Sequence, residues 1–349
     1  MDWILYGVTG YTGRLVVEEA VRRGLRPTVA GRDPDAVATV AAEFGLQSKA
    51  FGLEDVSSIR DAIRGTRLVL HCAGPFSVTA EPMIEACLNE GVHYLDITGE
   101  IDVFAYAQSR QEDARRADVV LIPGVGFDVV PSDCLAASLV EALPAATELV
   151  LAFEAAGGAS PGTAKTSIEG IGKGGRVRRD GRLETVPMAW KTRRIPFAHA
   201  ERTAVTIPWG DVFTAYISTG IPDIEVYMAL PESTIAWLRR LRWLQPLLAR
   251  GPMQAFLKRR VERGVSGPSA ETRRTTDAQL WGQVTSADGR SVTATMTTPN
   301  GYDLTVSASL GIVEFLLENP VEGGYYTPSL LMGSGYAATL PGVSFSLPA

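Results

Sequence analysis

The 349-residue sequence is poor in cysteine and histidine, with three of each. The cysteines are Cys72, Cys87 and Cys134, and the histidines are His71, His93 and His199. They are too few and too scattered for a disulfide framework or a zinc cluster. The sequence therefore predicts a protein of a reducing compartment with no metal site.

Long apolar runs are also missing, because no stretch of about 18 consecutive apolar residues occurs. The opening MDWILYGVTG lacks the basic segment, apolar segment and small-residue cleavage site of a secretory signal. We expect a cytoplasmic protein. Hydrophobic residues still make up 46% of the chain, which is enough for a core, and the length predicts two domains.

Positive charge is in deficit, since the formal net charge is -6 and the pI is about 5.3. A net negative charge repels the phosphate backbones of nucleic acids, so no nucleic-acid partner is expected. The deficit lies in residues 1–134, which hold 12 Lys and Arg against 20 Asp and Glu. The remainder holds 21 against 19, so the two parts of the chain differ in character.

The first part of the chain alternates short apolar runs with helical periodicity. Strands are predicted at 3–8, 27–31, 48–51, 67–73, 92–97 and 118–124. Helices are predicted at 11–23, 33–45, about 55–64, 78–90 and 102–116. Strands that alternate with helices pair in parallel through crossovers. The pattern predicts an α/β Rossmann domain, a doubly wound parallel sheet, over residues 1–125.

The pattern of predicted strands and helices changes after about residue 125. Here the sequence predicts a helix from Pro131, strands at 147–155, 202–208 and 224–230, a helix at 161–172, a hairpin around Asp288-Gly289 and helical periodicity at 302–319. This mixture predicts an α+β domain on a mixed or antiparallel sheet over residues 126–320. We expect it to bind substrate or to mediate dimerisation.

A glycine-rich turn, GVTGYTGRL at residues 7–15, follows the first predicted strand and opens a helix. Gly7, Gly10 and Gly13 give the spacing GxxGxxG. In a dinucleotide site one glycine makes the tight turn, one lets the pyrophosphate approach the backbone, and one allows close helix packing. The N–H groups and the positive end of the helix dipole then face the phosphates. The alternative is a glycine-rich turn that binds no ligand.

The second predicted strand ends in AGRD, which places Arg32 at its tip. NAD-specific sites carry a carboxylate there for the ribose 2'-hydroxyl, whereas a 2'-phosphate calls for a cation. The guanidinium of Arg32 suits that phosphate, so NADP is favoured over NAD. The alternative is a solvated Arg32 beside Asp33, which serves only as a helix cap.

A third turn, Gly74-Pro75-Phe76, follows the strand at 67–73. It lies at the carboxyl edge of the predicted sheet, where open α/β sheets bind ligands, and the nicotinamide ribose is its expected neighbour. Glu100 and Asp102 also fall near this edge. We interpret these two carboxylates as caps of the helix that follows them.

Several motifs together resemble the saccharopine dehydrogenase-like family of Rossmann oxidoreductases, which includes trans-acting enoyl reductase-like members. They are GVTGYTGRL, AGRD, HCAGPF, HYLDITGE and PGVGFDVVPSD. The run GGYYTPSLLMG resembles the segment by which such proteins return to the nucleotide domain, which gives 321–349 that role. The resemblance implies that the pyrophosphate is contacted by Thr9, Gly10, Tyr11, Thr12 and Gly13. It also implies that Arg32 contacts the adenosine end, and that Gly74, Pro75 and Phe76 approach the nicotinamide.

The stretch 235–263 carries eight Lys and Arg and one acid, Glu262, among large apolar residues. This composition favours an interfacial helix or a lid over a lipid-like substrate, and peripheral membrane contact. Pro246 and Gly251-Pro252 divide it into short helices. One alternative is a helical pair that packs on the second domain with its arginines solvated, and another is a homodimer contact.

No acid–base constellation that would identify catalytic residues appears in the sequence. Asp128, Ser132 and Lys165 are weak candidates in predicted crevice loops, and each is more readily structural. The resulting hypothesis is an NADP-dependent oxidoreductase that reduces a C=C or C=N bond in an apolar or thioester-tethered small molecule. The alternatives are a non-catalytic NADP-binding protein that senses redox state or recruits a partner, and an amino-acid-forming imine reductase.

Overall fold

The computed structural model describes residues 3–245, 250–264 and 266–347, without the side chains of 171–173, 258–259 and 261–264. The chain forms two compact units. The first runs to Phe127 and includes Tyr302–Thr327; the second comprises Asp128–Gly301 and the chain from Pro328 onward. These bounds differ from the predicted ones at the C-terminal side, since the sequence predicts 302–320 within the second domain and 321–349 as a segment that returns to the first.

The strands follow one another along the described chain as β1 (Trp3–Tyr6), β2 (Thr28–Gly31), β3 (Ser48–Ala50), β4 (Leu68–His71), β5 (His93–Asp96), β6 (Val120–Ile122), β7 (Ala146–Ala155), β8 (Gly175–Arg179), β9 (Arg182–Val186), β10 (Thr192–Pro196), β11 (Glu201–Thr206), β12 (Asp223–Ala229), β13 (Asp277–Ser286), β14 (Ser291–Pro299), β15 (Gly324–Tyr325) and β16 (Ser344–Ser346).

The helices are α1 (Tyr11–Arg22), α2 (Pro34–Phe44), α3 (Val56–Ile63), α4 (Phe76–Glu90), α5 (Ile101–Ser109), α6 (Gln111–Ala117), α7 (Val130–Ala142), α8 (Pro161–Lys173), α9 (Asp211–Thr219), α10 (Glu232–Leu241), α11 (Gly251–Gly264), α12 (Ala270–Thr275), α13 (Gly301–Glu318), α14 (Pro328–Met332) and α15 (Tyr336–Thr339). A 3-10 turn, Arg242–Leu244, extends α10.

The first unit is built on a seven-stranded sheet within the described residues, in the order β15-β6-β5-β4-β1-β2-β3. Every pair in it is parallel. β1 and β4 are buried along their whole length, as strands covered by helices on both faces must be. The predicted Rossmann sheet is confirmed, and the late strand β15 joins its edge beside β6.

Local signals place several boundaries of this unit. Asp33 caps α2, because its side chain accepts hydrogen bonds from the N–H groups of Asp35 and Ala36. Pro34 follows at the first helical position, and Gly45 ends the helix in a left-handed conformation with φ +63°. The single helix predicted at 102–116 is instead divided into α5 and α6 at Arg110.

The second unit contains a nine-stranded mixed sheet within the described residues, with the main order β10-β11-β12-β7-β13-β14-β16. β12 and β7 are parallel, and the other pairs are antiparallel. The hairpin predicted around Asp288-Gly289 joins β13 to β14, with Gly289 at φ +86°. The predicted mixed sheet is confirmed. α9 was not predicted, because its sequence DVFTAYIST is rich in β-branched and aromatic residues; here packing against α7 outweighs propensity.

Candidate cofactor site

The glycine turn after β1 is tight and tied to the sheet. Gly7 has φ +91°, a conformation that favours glycine, and a Cβ there would lie 2.8 Å from the backbone nitrogen of Ala73. Its N–H donates to the carbonyl oxygen of Ala30 at 2.8 Å. The turn therefore lies against the ends of β2 and β4, as a dinucleotide-binding turn does.

The other two glycines bring α1 close to the turn and leave its start open. A Cβ on Gly13 would overlap the carbonyl oxygen of Gly7, so the helix can pack there only without a side chain. Gly10 is the N-cap of α1, and it is exposed and has no side chain to cap the helix. Thr9 is exposed as well. The positive end of α1 is therefore accessible to an anion beside Gly10.

Two further residues implied by the family resemblance begin α1. Tyr11 and Thr12 are both partly exposed. The Tyr11 ring meets the ring of Tyr302 edge to face, with centroids 5.0 Å apart. Tyr302 stands near the start of α13, far away in sequence, so sequence reasoning did not find it. This aromatic pair fixes the Tyr11 ring at one side of the glycine turn.

Arg32 is exposed at the carboxyl end of β2. The neighbouring carboxylate of Asp33 is committed to capping α2, with both hydrogen bonds at 3.1 Å. Arg32 lies close enough to Tyr6 to favour its ionised form, although burial and the charge of Glu54 dominate and raise the pKa of Tyr6 to about 12. A cation therefore occupies the position where NAD-type sites place a carboxylate.

The Gly74-Pro75-Phe76 turn precedes α4 and is held by Glu100. The Glu100 carboxylate accepts hydrogen bonds from the N–H groups of Phe76 at 3.0 Å and Ser77 at 2.7 Å. Its side chain thus caps α4, not α5, which corrects our interpretation of Glu100 as a cap of the following helix. β4 and β5 are neighbours in the sheet, so the loops after them lie side by side.

His71, in contact with Phe76, supports the same turn. It is buried, its ring lies edge-on to Phe76 with centroids 5.3 Å apart, and its Nε2 is 3.0 Å from Thr79 Oγ1. Because Thr79 Oγ1 donates to the carbonyl oxygen of Ala73 at 2.7 Å, His71 Nε2 must carry the proton. Burial lowers the pKa of His71 to about 3, so the ring is neutral and structural.

Asp96, at the end of β5, joins the next two loops. Its Oδ1 accepts hydrogen bonds from the N–H groups of Thr98 and Gly124, each at 2.9 Å, and its Oδ2 accepts one from the Tyr94 hydroxyl at 2.6 Å. Burial raises the pKa of Asp96 to about 6, although these hydrogen bonds act in the opposite direction. The Asp96 carboxyl group therefore holds the loops after β5 and β6 together at the edge of the sheet.

The weak catalytic candidates belong to the second unit. Ser132 is buried and donates to Asp211 Oδ2 at 2.9 Å. Burial, and then the charge of the nearby Asp133, raise the pKa of Asp211 well above its usual range; Asp128 adds to the effect. Lys165 is partly exposed on α8. The structure thus joins Ser132 to a buried carboxyl group that sequence reasoning missed, because Asp211 stands on the unpredicted α9.

Within the described residues, no group of three or more His, Cys, Asp or Glu side chains is arranged to hold a metal ion. No described helix is long and apolar enough to cross a membrane.

The first unit is a Rossmann unit, and comparison with known proteins shows which family it resembles. Residues 3–122 match the family described as the saccharopine dehydrogenase NADP binding domain. The family resemblance noted in the sequence is thereby confirmed for this part of the chain.

Curated relatives match a part of the chain. An Arabidopsis thaliana protein named as a saccharopine dehydrogenase-like oxidoreductase is 30% identical over 150 residues, which are 38% of this chain and 33% of the relative. A Mycobacterium tuberculosis protein named as a trans-acting enoyl reductase is 30% identical over 146 residues, again 38% and 33%. The alignments thus span about a third of each relative's length.

The whole fold also has a counterpart of known structure. The apo form of saccharopine dehydrogenase (L-Glu forming) from Saccharomyces cerevisiae matches with a TM-score of 0.67, and the match covers 100% of both chains. The sequence identity is 11%, so this likeness concerns the fold.

Proposed function

We propose that this protein is an NADP-dependent oxidoreductase that reduces a C=C or C=N bond in a largely apolar or thioester-tethered small molecule. The observation that carries the proposal is the open start of α1 at Gly10, with Arg32 exposed at the end of β2 and Asp33 occupied as a helix cap. The match of residues 3–122 to an NADP binding domain supports it.

The preference for NADP over NAD rests on Arg32. A guanidinium pairs with a 2'-phosphate in a charge-assisted contact, whereas NAD offers it only a hydroxyl. Asp33, the nearest carboxylate in sequence, already accepts two backbone hydrogen bonds through Oδ1 as the cap of α2. Thr9, Gly10, Tyr11, Thr12 and Gly13 would bind the pyrophosphate, and Gly74, Pro75 and Phe76 would lie beside the nicotinamide.

NADPH supplies the hydride when it is bound, so the chain must bind and orient the cofactor and exclude water. Gly10 offers backbone to the phosphates without steric hindrance. Glu100 and His71 hold the turn at Gly74-Pro75-Phe76 and so fix the surface beside the nicotinamide. Asp128, Ser132 and Lys165 remain candidates for contact with the substrate.

The apolar substrate class is favoured by the state of the arginines in the second unit. A dicarboxylic substrate would need several cations directed at one cleft. Instead, Arg194 pairs with Glu201, Arg202 with Glu154, and Arg290 with Asp288. Arg178 donates to two backbone carbonyl groups and stacks on Tyr216. The relative named as a trans-acting enoyl reductase points to the same class.

The proposal is tested by titrating the protein with NADPH and NADH, and then following NADPH oxidation with a long-chain 2-enoyl thioester and with a cyclic imine. We expect tighter binding of NADPH and oxidation that depends on the thioester. Oxidation with the imine alone would narrow the proposed reaction to C=N reduction. Tight binding without oxidation by either compound would favour the non-catalytic NADP-binding alternative.

A further inference from the structure

Exposed large apolar residues are concentrated in one short stretch of the second unit. Trp243 is 89% exposed, Trp237 56% and Leu244 50%, and Phe256 on α11 is also exposed. Elsewhere in the described residues only Val78 and Leu330 are large, apolar and comparably exposed. We call Trp237, Arg240, Trp243 and Leu244 the outer face of α10. The surface of a soluble protein seldom carries several apolar side chains of this size close together unless they bind a partner.

The opposite face of α10 is already packed. Ile235 is 4% exposed and lies in a cluster with Met188, Ala189 and Val205. Leu238 and Leu241 pack against that cluster. The alternative of an ordinary packed helix therefore explains one face of α10 and leaves the outer face unexplained.

The outer face is held in place by arginines that bind backbone. Arg242 donates to the carbonyl oxygens of Met188 and Ala189, and Arg239 donates to that of Ala189 at 3.3 Å. Burial, and then the charge of Arg239, lower the pKa of Arg242. Arg242 directly precedes Trp243, so these bonds anchor the turn that presents the tryptophan outward.

The charge around this face is opposite to that of the whole chain. Residues 235–263 carry eight bases and one acid, whereas the chain has a net charge of -6. Arg240, Arg250 and Arg260 are exposed. Pro246, Leu247 and Leu248 lie outside the described residues. Two copies of this face would repel each other, whereas an anionic surface would attract it.

We propose that the outer face of α10, with Arg250 nearby in sequence, binds the surface of an anionic phospholipid bilayer. Trp237, Trp243 and Leu244 would enter the boundary between headgroups and acyl chains, and Arg240 and Arg250 would pair with lipid phosphates and carboxylates. This goes beyond hydride transfer and does not depend on it, because it concerns a surface and its lipid partner.

The test uses vesicles of phosphatidylcholine and phosphatidylserine in equal parts, with pure phosphatidylcholine vesicles for comparison. Co-sedimentation gives the partition constant, and tryptophan emission reports burial of the rings. We expect binding to the mixed vesicles with a blue shift, weakened by added salt. The absence of binding to mixed vesicles, or equal binding to both kinds at low salt, overturns the proposal.

Two double variants locate the contact. Trp237→Ala with Trp243→Ala should lower the partition constant by at least about ten-fold, because two large rings no longer leave water. Arg240→Gln with Arg250→Gln should lower it by about twenty-five-fold, since each cation near an anionic surface contributes about a five-fold factor. All four side chains are exposed, so thermal unfolding should be unchanged.

Matched control variants distinguish a contribution of the outer face of α10 from a general effect of removing exposed apolar or charged side chains. Leu330→Ser removes an exposed apolar side chain elsewhere, and Arg115→Gln with Arg116→Gln removes two exposed cations of the first unit. Both controls should stay within about two-fold of the wild type. Equal losses in the controls overturn the proposal. Self-association without vesicles that the tryptophan variant abolishes would assign the face to a second copy and likewise overturns it.

Discussion

A Cβ atom on Gly13 would overlap the carbonyl oxygen of Gly7, whereas one on Gly10 would lie 3.3 Å from the same oxygen. Gly13→Ala should therefore cost about 3 kcal/mol of unfolding free energy, because backbone must move. Gly10→Ala should cost about 1 kcal/mol, because alanine is a poorer N-cap. Urea denaturation of the two variants checks the difference. Equal costs would contradict the described packing of α1 on the turn.

A bulky substitution at Gly10 should affect nucleotide binding without unfolding the protein. Gly10→Val should abolish the binding of both NADPH and NADH while the protein stays folded, because the added side chain stands where the pyrophosphate approaches the helix start. Isothermal titration gives the affinities, and circular dichroism confirms the fold. Retained nucleotide binding in the folded variant would mean that the phosphates lie elsewhere.

Arg32 should set the cofactor preference. Arg32→Ala should weaken NADPH binding by about ten- to hundred-fold and leave NADH binding nearly unchanged, because only the phosphate contact is lost. Arg26→Ala is the matched control, since Arg26 is an exposed arginine just before the other end of β2. Equal dissociation constants for NADPH and NADH in the wild-type protein would refute the assignment of Arg32.

Glu100 should matter for both stability and cofactor binding. Glu100→Ala leaves the N–H groups of Phe76 and Ser77 without their carboxylate acceptor, so we expect a loss of about 1–2 kcal/mol in unfolding free energy. NADPH binding should weaken as the Gly74-Pro75-Phe76 turn loosens. Asp102→Asn, at a neighbouring surface carboxylate in the first turn of α5, is the control. Unchanged stability of Glu100→Ala would argue against the cap.

Asp96 predicts how stability depends on pH. Its pKa of about 6 in the folded protein exceeds the value near 4 of an unfolded Asp, so folding favours the protonated form. This contribution is present below about pH 4 and is lost as the pH rises through about 6, a change of about 3 kcal/mol. Asp96→Asn should flatten this part of the pH–stability curve, because the amide mimics the neutral acid. Urea denaturation across this range measures it, and an equally steep curve in the variant would contradict the assignment.

The sequence predicts elements whose causes are local. Asp33 and Gly45 lie next to the helix that they bound, and Asp288-Gly289 makes its own turn. The alternation of short apolar runs with helical periodicity is by itself sufficient to predict the central Rossmann strands. The alternation does not reach β8 and β9, where the run GRVRRDGRLETV is rich in arginine. β8 nevertheless buries Gly175, Val177 and Arg178, whereas no residue of β9 is buried.

The site details that sequence reasoning missed depend on contacts between distant parts of the chain. Glu100 was expected to cap the helix beside it, yet the parallel pairing of β4 and β5 brings it to α4 instead. Tyr302 meets Tyr11 only because α13 belongs to the first unit. Asp211 meets Ser132 through the packing of α9 on α7. No single stretch of sequence contains such pairs.

The return of the chain to the first unit has a consequence for its synthesis. β15 completes the edge of the Rossmann sheet, and α13 supplies the partner of Arg23, Glu314, and carbonyl acceptors for Arg67. A ribosome makes these residues only after the whole of Asp128–Gly301. Until β15 has been made, β6 is therefore an unpaired edge strand of the nascent Rossmann sheet. Such an edge can pair with strands of other chains. Chaperones that shield strand edges should matter more for this protein during translation than after its release.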